Sequence, residues 1–187
     1  MEKKRCWWCG DDPLYIEYHD TEWGVPVKDD DKLFEFLILE TFQAGLSWIT
    51  VLKKRENFRK AFDHFNYKKI ASYSEEKVQA LLQDASIIRN KLKVRATITN
   101  AQAFMKIQEE FGSFSDYIWG FVDGKPIQNF LQDRSDVQAN TPLSDKISKD
   151  LKRRGFKFVG TTVLYAHMQA TGMVNDHLVD CFRYKEV

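Results

Sequence analysis

The chain has 187 residues, of which 43% are hydrophobic and 29% are charged, and its formal net charge is +1. A chain with this hydrophobic content is not intrinsically disordered, and its length is sufficient for a hydrophobic core. No apolar run approaches the roughly 18 residues of a membrane span, and the N-terminal sequence MEKKRC does not resemble a secretion signal. Three cysteines without such a signal favour a reducing compartment, so we expect a cytoplasmic protein whose thiols are buried or bind a metal.

The N-terminal part of the chain is rich in tryptophan and then becomes helical. Residues 1–28 show no sustained periodicity and are predicted to be irregular. A helix is predicted where Asp29 and its neighbours can cap an apolar face, and Gly45 ends it. Ser47 can cap a second helix, whose apolar stripe continues as far as Phe62.

The middle of the chain continues with helices and then a loop. Helices are predicted over residues 74–82, 92–111 and 113–119, whereas residues 123–142 contain glycine, two prolines and many polar residues and are predicted to be the one long loop. Because no strand-like alternation persists, we predict an all-α fold that forms a single unit over residues 1–187.

The C-terminal part is predicted to form a helix, a hairpin and a second helix over about residues 143–171. Helical spacing covers residues 143–154 and 162–170, and the segment between them, residues 155–160, begins and ends with glycine. Its backbone N–H groups suit an anion such as a DNA phosphate, although an ordinary turn on a solvated basic face is the alternative. Four cations accompany the hairpin: Lys152, Arg153, Arg154 and Lys157.

DNA binding by a chain of such low net charge requires cations that are concentrated on one face. Three basic clusters are candidates for that face, namely residues 53–55, 89–95 and 149–157. Each cluster can equally be a solvated helix surface.

Two Cys/His pairs at opposite ends of the chain have metal-ligand spacing. Cys6 and His19 are separated by twelve residues, and His177 and Cys181 by three, which would place the second pair on one helical face. Four protein ligands would form a closed, structural zinc site that joins the two ends of the chain. The alternatives are buried histidines with inert thiols, or a ligand role for Cys9, because Cys6-x2-Cys9 also has zinc-like spacing.

Seven segments, in order along nearly the whole chain, together resemble the 3-methyladenine DNA glycosylase I family of the helix-hairpin-helix DNA glycosylase superfamily. The segments are Asp12-Pro13-Leu14-Tyr15, Tyr18-His19-Asp20, Glu22-Trp23-Gly24, Gln43-Ala44-Gly45-Leu46-Ser47-Trp48, Lys53-Lys54-Arg55-Glu56, Gly155-Phe156-Lys157-Phe158-Val159-Gly160 and Val174-Asn175-Asp176-His177. The combination is specific, whereas any one segment alone is a weak signal.

The resemblance implies a DNA repair enzyme that acts on alkylated double-stranded DNA. Such an enzyme flips out 3-methyladenine and hydrolyses its N-glycosidic bond, and it leaves an abasic site without strand cleavage. The resemblance also implies the helix-hairpin-helix glycosylase fold, with DNA contacts at Gly155, Lys157 and Gly160. No obligate protein partner is evident from the sequence.

The resemblance assigns roles to residues of a base pocket and of a metal site. Glu40 lies in an apolar stretch, where an unpaired carboxylate is costly unless it points to solvent, and it matches the family's base-reading carboxylate and is the candidate catalytic group. Tyr18 and Trp48 match base-reading positions, while Trp8 and Trp23 match pocket walls and Tyr15 supplies a further aromatic face. The implied ligands of one structural zinc ion are Cys6, His19, His177 and Cys181, which leaves Cys9 spare.

The resemblance also shows where the chain departs from the superfamily. Asn175 occupies the position of the superfamily's catalytic aspartate, two residues before His177. An amide carries no net charge and takes no proton at neutral pH, so only labile, cationic bases are expected as substrates. Such bases leave as neutral molecules, which removes much of the barrier.

Two other functions remain open at this point. A non-enzymatic, zinc-stapled helix-hairpin-helix DNA-binding module would use the hairpin and the metal but would have no use for Glu40 and its aromatic surroundings. A zinc hydrolase is less consistent with the sequence, because four protein ligands leave no position for water on the metal.

Overall fold

The computed structural model describes residues 3–187, and nine α-helices account for most of this range. The helices are α1 Pro13–Thr21, α2 Asp30–Gln43, α3 Trp48–Ala61, α4 Tyr67–Ile70, α5 Glu75–Gln83, α6 Lys91–Phe111, α7 Phe114–Gly120, α8 Pro142–Arg153 and α9 Thr161–Ala170. The predicted helical character is therefore confirmed. Within the described residues, no helix has the length and apolar character that crossing a bilayer requires.

The all-α prediction is wrong in one detail, because two short strands are present. Strand β1, Ile127–Gln128, pairs in parallel with β2, Val174–Asn175. Each strand has only two residues, which is too few to produce an alternating pattern in the sequence. The pairing fastens the long loop of residues 123–142 to the C-terminal segment.

The predicted helix starts agree with the structure, and two of the three predicted capping side chains described next form the expected hydrogen bond. The Asp29 side chain accepts a hydrogen bond from the Lys32 backbone N–H at the start of α2. Ser74 accepts from Lys77 N at the start of α5, in the same way. Ser47 precedes α3 without capping it through its side chain, and its hydroxyl instead contacts Thr50.

The prediction that residues 1–28 are irregular is wrong, because α1 lies within them. Asp12 accepts hydrogen bonds from the backbone N–H groups of Leu14 and Tyr15, and Pro13 occupies the first helical position. An N-cap aspartate followed by proline is a helix-start signal that the lack of a clear apolar face obscured. This helix carries Tyr15, Tyr18 and His19, so it places two predicted pocket residues and one predicted metal ligand together.

Helix α2 lies at the centre of the hydrophobic core. Residues 36–42 of this helix are all buried, so this part of the helix has no solvent-exposed face, and Glu40 and Thr41 are its only polar side chains. It packs against α3, α6 and α9. Phenylalanines from several helices fill the space around it: Phe34, Phe42, Phe58, Phe62, Phe104 and Phe114.

The two ends of the chain are in contact with each other. The Phe182 backbone N–H donates to Lys4 O at 2.9 Å, and Val27 N donates to Thr171 O at 2.9 Å. Gly172 has φ +72°, and a Cβ atom there would lie 2.5 Å from Pro26 N. Only glycine therefore allows this close crossing of the N- and C-terminal segments.

Candidate functional site

A cavity of about 240 Å³ lies between α1, α2 and α9, and the six residues predicted for the base pocket all line it. They are Trp8, Tyr15, Tyr18, Trp23, Glu40 and Trp48. The size suits one nucleobase, and the walls are mostly aromatic.

Glu40 is the only acidic side chain of α2 that lies in the apolar core, and it is 3% exposed. No group in residues 3–187 ion-pairs with its carboxyl, and burial alone raises the pKa of Glu40 to about 8. In the free protein near neutral pH this carboxyl is therefore largely protonated. A buried carboxyl group that faces a cavity without a partner is typical of a binding or catalytic site.

The aromatic walls contact one another, which fixes their orientation. Trp8 lies at ring-centroid distances of 5.0 Å from Tyr15 and 4.9 Å from Trp23. Tyr18 lies 5.6 Å from Trp48. Helix α1 supplies both tyrosines from positions one turn apart, so its formation is what brings them to the same wall.

Half of the residues that line the cavity were not predicted from the sequence. Gln43 lies one helical turn after Glu40, so helical spacing could have identified it. The other residues come from a loop or from segments that are distant in sequence, and no local pattern indicated them. They are Trp7, Val137, Ala166, Gln169 and Asp176.

The four predicted metal ligands form a buried cluster whose ligand atoms all lie within 4.8 Å of one another. His177 Nδ1 is 3.6 Å from the sulfur atoms of both Cys6 and Cys181, and His19 Nε2 is 3.5 Å from Cys181 Sγ. Hydrogen bonding from Cys6, and then from the two histidines, lowers the pKa of Cys181. A thiolate is the form of cysteine that binds a metal.

The outer nitrogen of each histidine in the cluster has a hydrogen-bond partner. His19 Nδ1 lies 2.8 Å from Asp20 Oδ1, and His177 Nε2 lies 3.0 Å from Trp23 O. Such partners fix the tautomer and aim the inner nitrogen at a metal. The donor set of two sulfurs and two imidazoles therefore fits zinc in composition and in orientation.

The surroundings of the cluster differ from the sequence prediction in one respect. The prediction that His177 and Cys181 share a helical face is wrong, because they lie in a loop between β2 and a 3₁₀ helix, Phe182–Lys185. Cys9 lies outside the cluster, and its thiol donates to Cys6 O at 3.2 Å.

The cluster and the cavity share a wall. The Trp8 ring lies 5.2 Å from the His19 ring, and the Trp23 ring lies 4.7 Å from the His177 ring. Both histidines therefore pack against tryptophans that line the cavity.

The segment between α8 and α9 is held by side chains from neighbouring helices. Asn100 of α6 donates to Lys157 O at 3.0 Å and accepts from Lys157 N at 2.8 Å. Ser148 donates to Val159 O at 2.7 Å. Gly155 has φ +95° and ends α8, whereas Gly160 precedes α9, which has no side-chain cap.

Several cations of the predicted basic clusters are already paired within the protein. Arg55 is mostly buried and bonds to Glu22 and Glu35, and Arg154 pairs with Glu110 and Asp150. Lys93 is 7% exposed and donates to the carbonyls of Phe42 and Ala44 at the end of α2. These three side chains are bound within the protein, so they are not available for the DNA contacts that their basic clusters suggested.

Asn175 is 1% exposed and is held by its own hydrogen bonds. Its amide nitrogen donates to Gln128 Oε1 at 2.8 Å and to Tyr184 O at 3.0 Å, and its oxygen accepts from His177 N at 3.2 Å. These contacts orient the loop that carries His177.

Comparison with known proteins gives consistent matches over almost the whole chain. A family model described as methyladenine glycosylase matches residues 8–184. The chain is 52% identical over 181 residues to DNA-3-methyladenine glycosylase 1 of Escherichia coli (strain K12), which covers 97% of each protein. A crystal structure of 3-methyladenine DNA glycosylase I has a TM-score of 0.93 at 52% identity, covering 96% of this chain and 98% of that one. A crystal structure of a variant of 3-methyladenine DNA glycosylase I in complex with 3-methyladenine has a TM-score of 0.93 at 36% identity, covering 95% and 96%. The chain therefore belongs to the methyladenine glycosylase family.

Proposed function

We propose that the protein removes 3-methyladenine from alkylated DNA by hydrolysing the N-glycosidic bond. The observation that carries this proposal is the buried, unpaired Glu40 in a base-sized aromatic cavity. Relatives that bear the name DNA-3-methyladenine glycosylase and the similar structure that holds 3-methyladenine support the same substrate.

The cavity suits a flipped, positively charged base. Electron-rich rings such as those of Trp48 and Tyr18 attract a cationic purine, and the Glu40 carboxyl can accept a hydrogen bond from its exocyclic amine. Unmodified adenine carries no charge, so this attraction favours the damaged base over the normal one.

The reaction needs little chemical assistance. As the bond between C1′ and the base nitrogen breaks, its electron pair stays with the base, which leaves as neutral 3-methyladenine. Water then attacks the positively charged C1′ and releases a proton, which gives an abasic deoxyribose. No lysine is among the residues of 3–187 that line the cavity, so these residues offer no amine for the covalent intermediate of a strand-cleaving lyase.

We propose that Cys6, His19, His177 and Cys181 hold one structural zinc ion. Four protein donors complete its coordination, so zinc would cross-link the N-terminal residues 1–28 to the C-terminal residues 172–187 and take no part in hydrolysis; residues 1 and 2 lie outside the described range. The ligand arrangement and the hydrogen-bonded outer nitrogens support this assignment.

We further propose that α8, residues 155–160 and α9 act as a helix-hairpin-helix unit that binds a DNA phosphate. The first N–H groups of α9 lack a side-chain cap, and Lys157 is exposed beside them. Asn100 and Ser148 hold the backbone in place for such a contact.

Gly160→Val tests the phosphate contact. A Cβ atom at Gly160 would meet nothing in the protein within 4 Å, so the fold should persist while the added side chain blocks close approach of DNA. We expect affinity for duplexes of any sequence to fall about tenfold, which is the loss of roughly one charge-assisted hydrogen bond. Fluorescence anisotropy with several unrelated duplexes measures this loss.

Gly120→Val is the matched control, because a Cβ atom there also meets nothing within 4 Å. It should leave DNA affinity unchanged. A loss in Gly160→Val that depends on DNA sequence would contradict a backbone contact.

Base release from methylated duplex DNA, with chromatographic identification of the freed base, tests the proposed function. We expect 3-methyladenine as the product, an intact strand until alkali is added, and no release of hypoxanthine at a useful rate. Tight binding without any base release would instead indicate a non-enzymatic DNA-binding module.

A further inference from the structure

A second carboxyl group lines the cavity, at Asp176, and the family resemblance gave it no role. Asp176 is 2% exposed and lies in the loop that follows β2. It shares the cavity wall with Ala166 and Gln169 of α9, whereas Glu40 belongs to α2. The cavity is therefore bounded by carboxyl groups from two different elements.

Three side chains donate hydrogen bonds to Asp176. The Tyr165 hydroxyl and Gln169 Nε2 lie 2.6 Å and 2.8 Å from Oδ2, and Asn129 Nδ2 lies 2.6 Å from Oδ1. Amide groups can only donate through their nitrogen, so both carboxyl oxygens act as acceptors, as they do in the ionised form. No ion pair formed within residues 3–187 includes Asp176.

The two carboxyl groups of the cavity therefore differ in their hydrogen-bond donors. Glu40 has no donor in the described chain, and burial raises its pKa to about 8, which favours the neutral form in the free protein. Asp176 accepts hydrogen bonds from three donors through both carboxyl oxygens, yet no cation within residues 3–187 pairs with it. A buried, unneutralised carboxylate is costly unless a ligand uses it.

We propose that Asp176 is a specificity-determining residue that presents a fixed negative charge to the positively charged nucleotide in the cavity. This inference rests on the proposed function. In the alkylated nucleotide the positive charge lies on the base, and it moves to the deoxyribose as the electron pair of the breaking bond passes to the base. Asp176 forms no bond and takes no proton in this step; it lowers the energy of the charge at both positions.

Two abasic-site analogues test the role of this charge in equilibrium binding. One duplex carries a pyrrolidine, which is cationic at neutral pH, and the other carries a tetrahydrofuran of similar shape, which is neutral. Wild type should prefer the pyrrolidine duplex. Asp176→Asn should bind it about tenfold less tightly and bind the tetrahydrofuran duplex as well as wild type, because the amide keeps the shape of the side chain but carries no charge, although its nitrogen also replaces one acceptor with a donor.

Further variants, with zinc content and melting temperature measured for each, distinguish the effect of the Asp176 charge on binding from the effect of structural damage. Tyr165→Phe removes one hydrogen bond and keeps the charge, so it should retain the preference for pyrrolidine. Because Asp176 adjoins His177, zinc content and melting temperature are measured for every variant. If Asp176→Asn fails to fold, Asp176→Glu is compared with Asp176→Gln, because these two side chains have the same length and differ in charge and in one hydrogen-bonding atom.

The proposal would be overturned if Asp176→Asn kept the wild-type preference for pyrrolidine. In the second pair of variants, it would be overturned if Asp176→Gln showed the same preference as Asp176→Glu. Base release by the wild type is assayed in parallel. Wild type that releases no 3-methyladenine would refute the proposed function itself, which is a different outcome from an active wild type whose cation preference does not depend on Asp176.

Discussion

Glu40→Gln should weaken the binding of free 3-methyladenine by about 10- to 100-fold, which corresponds to the loss of a hydrogen bond to a charged group. The amide keeps the size of the side chain, but it cannot ionise when the base binds, and its nitrogen donates where the exocyclic amine of the base needs an acceptor. Titration monitored by tryptophan fluorescence measures the affinity, because Trp8, Trp23 and Trp48 line the cavity.

The same substitution should make the protein more stable at alkaline pH. Burial raises the pKa of Glu40 to about 8 from 4.5, so the folded state binds a proton more tightly than the unfolded state between these values. The stabilisation that the protonated group gives is full below pH 4.5 and is lost as pH rises through 8. The advantage of Glu40→Gln in free energy of unfolding should therefore be close to zero at pH 4.5 and exceed about 1 kcal/mol above pH 8.

Glu17→Gln is a suitable control for both measurements. Glu17 is exposed on α1, so its replacement removes a charge of the same kind from solvent. It should change neither the base affinity nor the pH dependence of stability. Unchanged affinity in Glu40→Gln, measured on folded protein, would show that Glu40 has only a structural role.

Local patterns predicted most helices because capping and apolar spacing are local properties. Asp29 and Gly112 mark helix ends in the sequence, and α2 and α6 begin and end within one or two residues of the predicted positions. The long loop was also predicted, but its two-residue strand β1 was not, because its partner β2 lies far away in sequence.

The candidate site was predictable to the extent that the family resemblance assigned roles to its residues. Glu40 and the five predicted aromatic residues lie around one cavity, although their roles remain predictions. Asp176 belongs to one of the quoted segments, but no role could be assigned to it, because its three donors come from the long loop and from α9. Arg55 and Lys93 were misjudged as surface cations, since charge alone does not reveal a buried acceptor.

Cys6→Ser should lower zinc content and thermal stability together. Cys6 lies within 4.8 Å of the other three ligand atoms, so its loss leaves an incomplete donor set. A cross-link between Cys6 and Cys181 encloses nearly the whole chain, and its removal costs on the order of 4 to 5 kcal/mol if it is treated like a disulfide. For a chain of this length we expect a fall in melting temperature of about 10–15 °C.

Cys9→Ser is the matched control for the metal site, because Cys9 and Cys6 are both 2% exposed. Its thiol only donates to Cys6 O, which a serine hydroxyl can also do, so zinc content should stay at one ion per chain. Metal analysis of dialysed wild-type protein that shows no zinc would refute the site, and loss of zinc from Cys9→Ser alone would reassign the ligand.

The effect of Cys6→Ser should extend from the metal site to the base cavity. His19 packs against Trp8, and His177 packs against Trp23 and bonds to its carbonyl oxygen. Without a metal to hold them, both histidines can rotate, and the two tryptophans lose their fixed orientation. We therefore expect the variant to bind free 3-methyladenine more weakly even at temperatures where circular dichroism shows it folded. If affinity is unchanged in folded, zinc-free Cys6→Ser, the metal site joins the termini without organising the cavity wall.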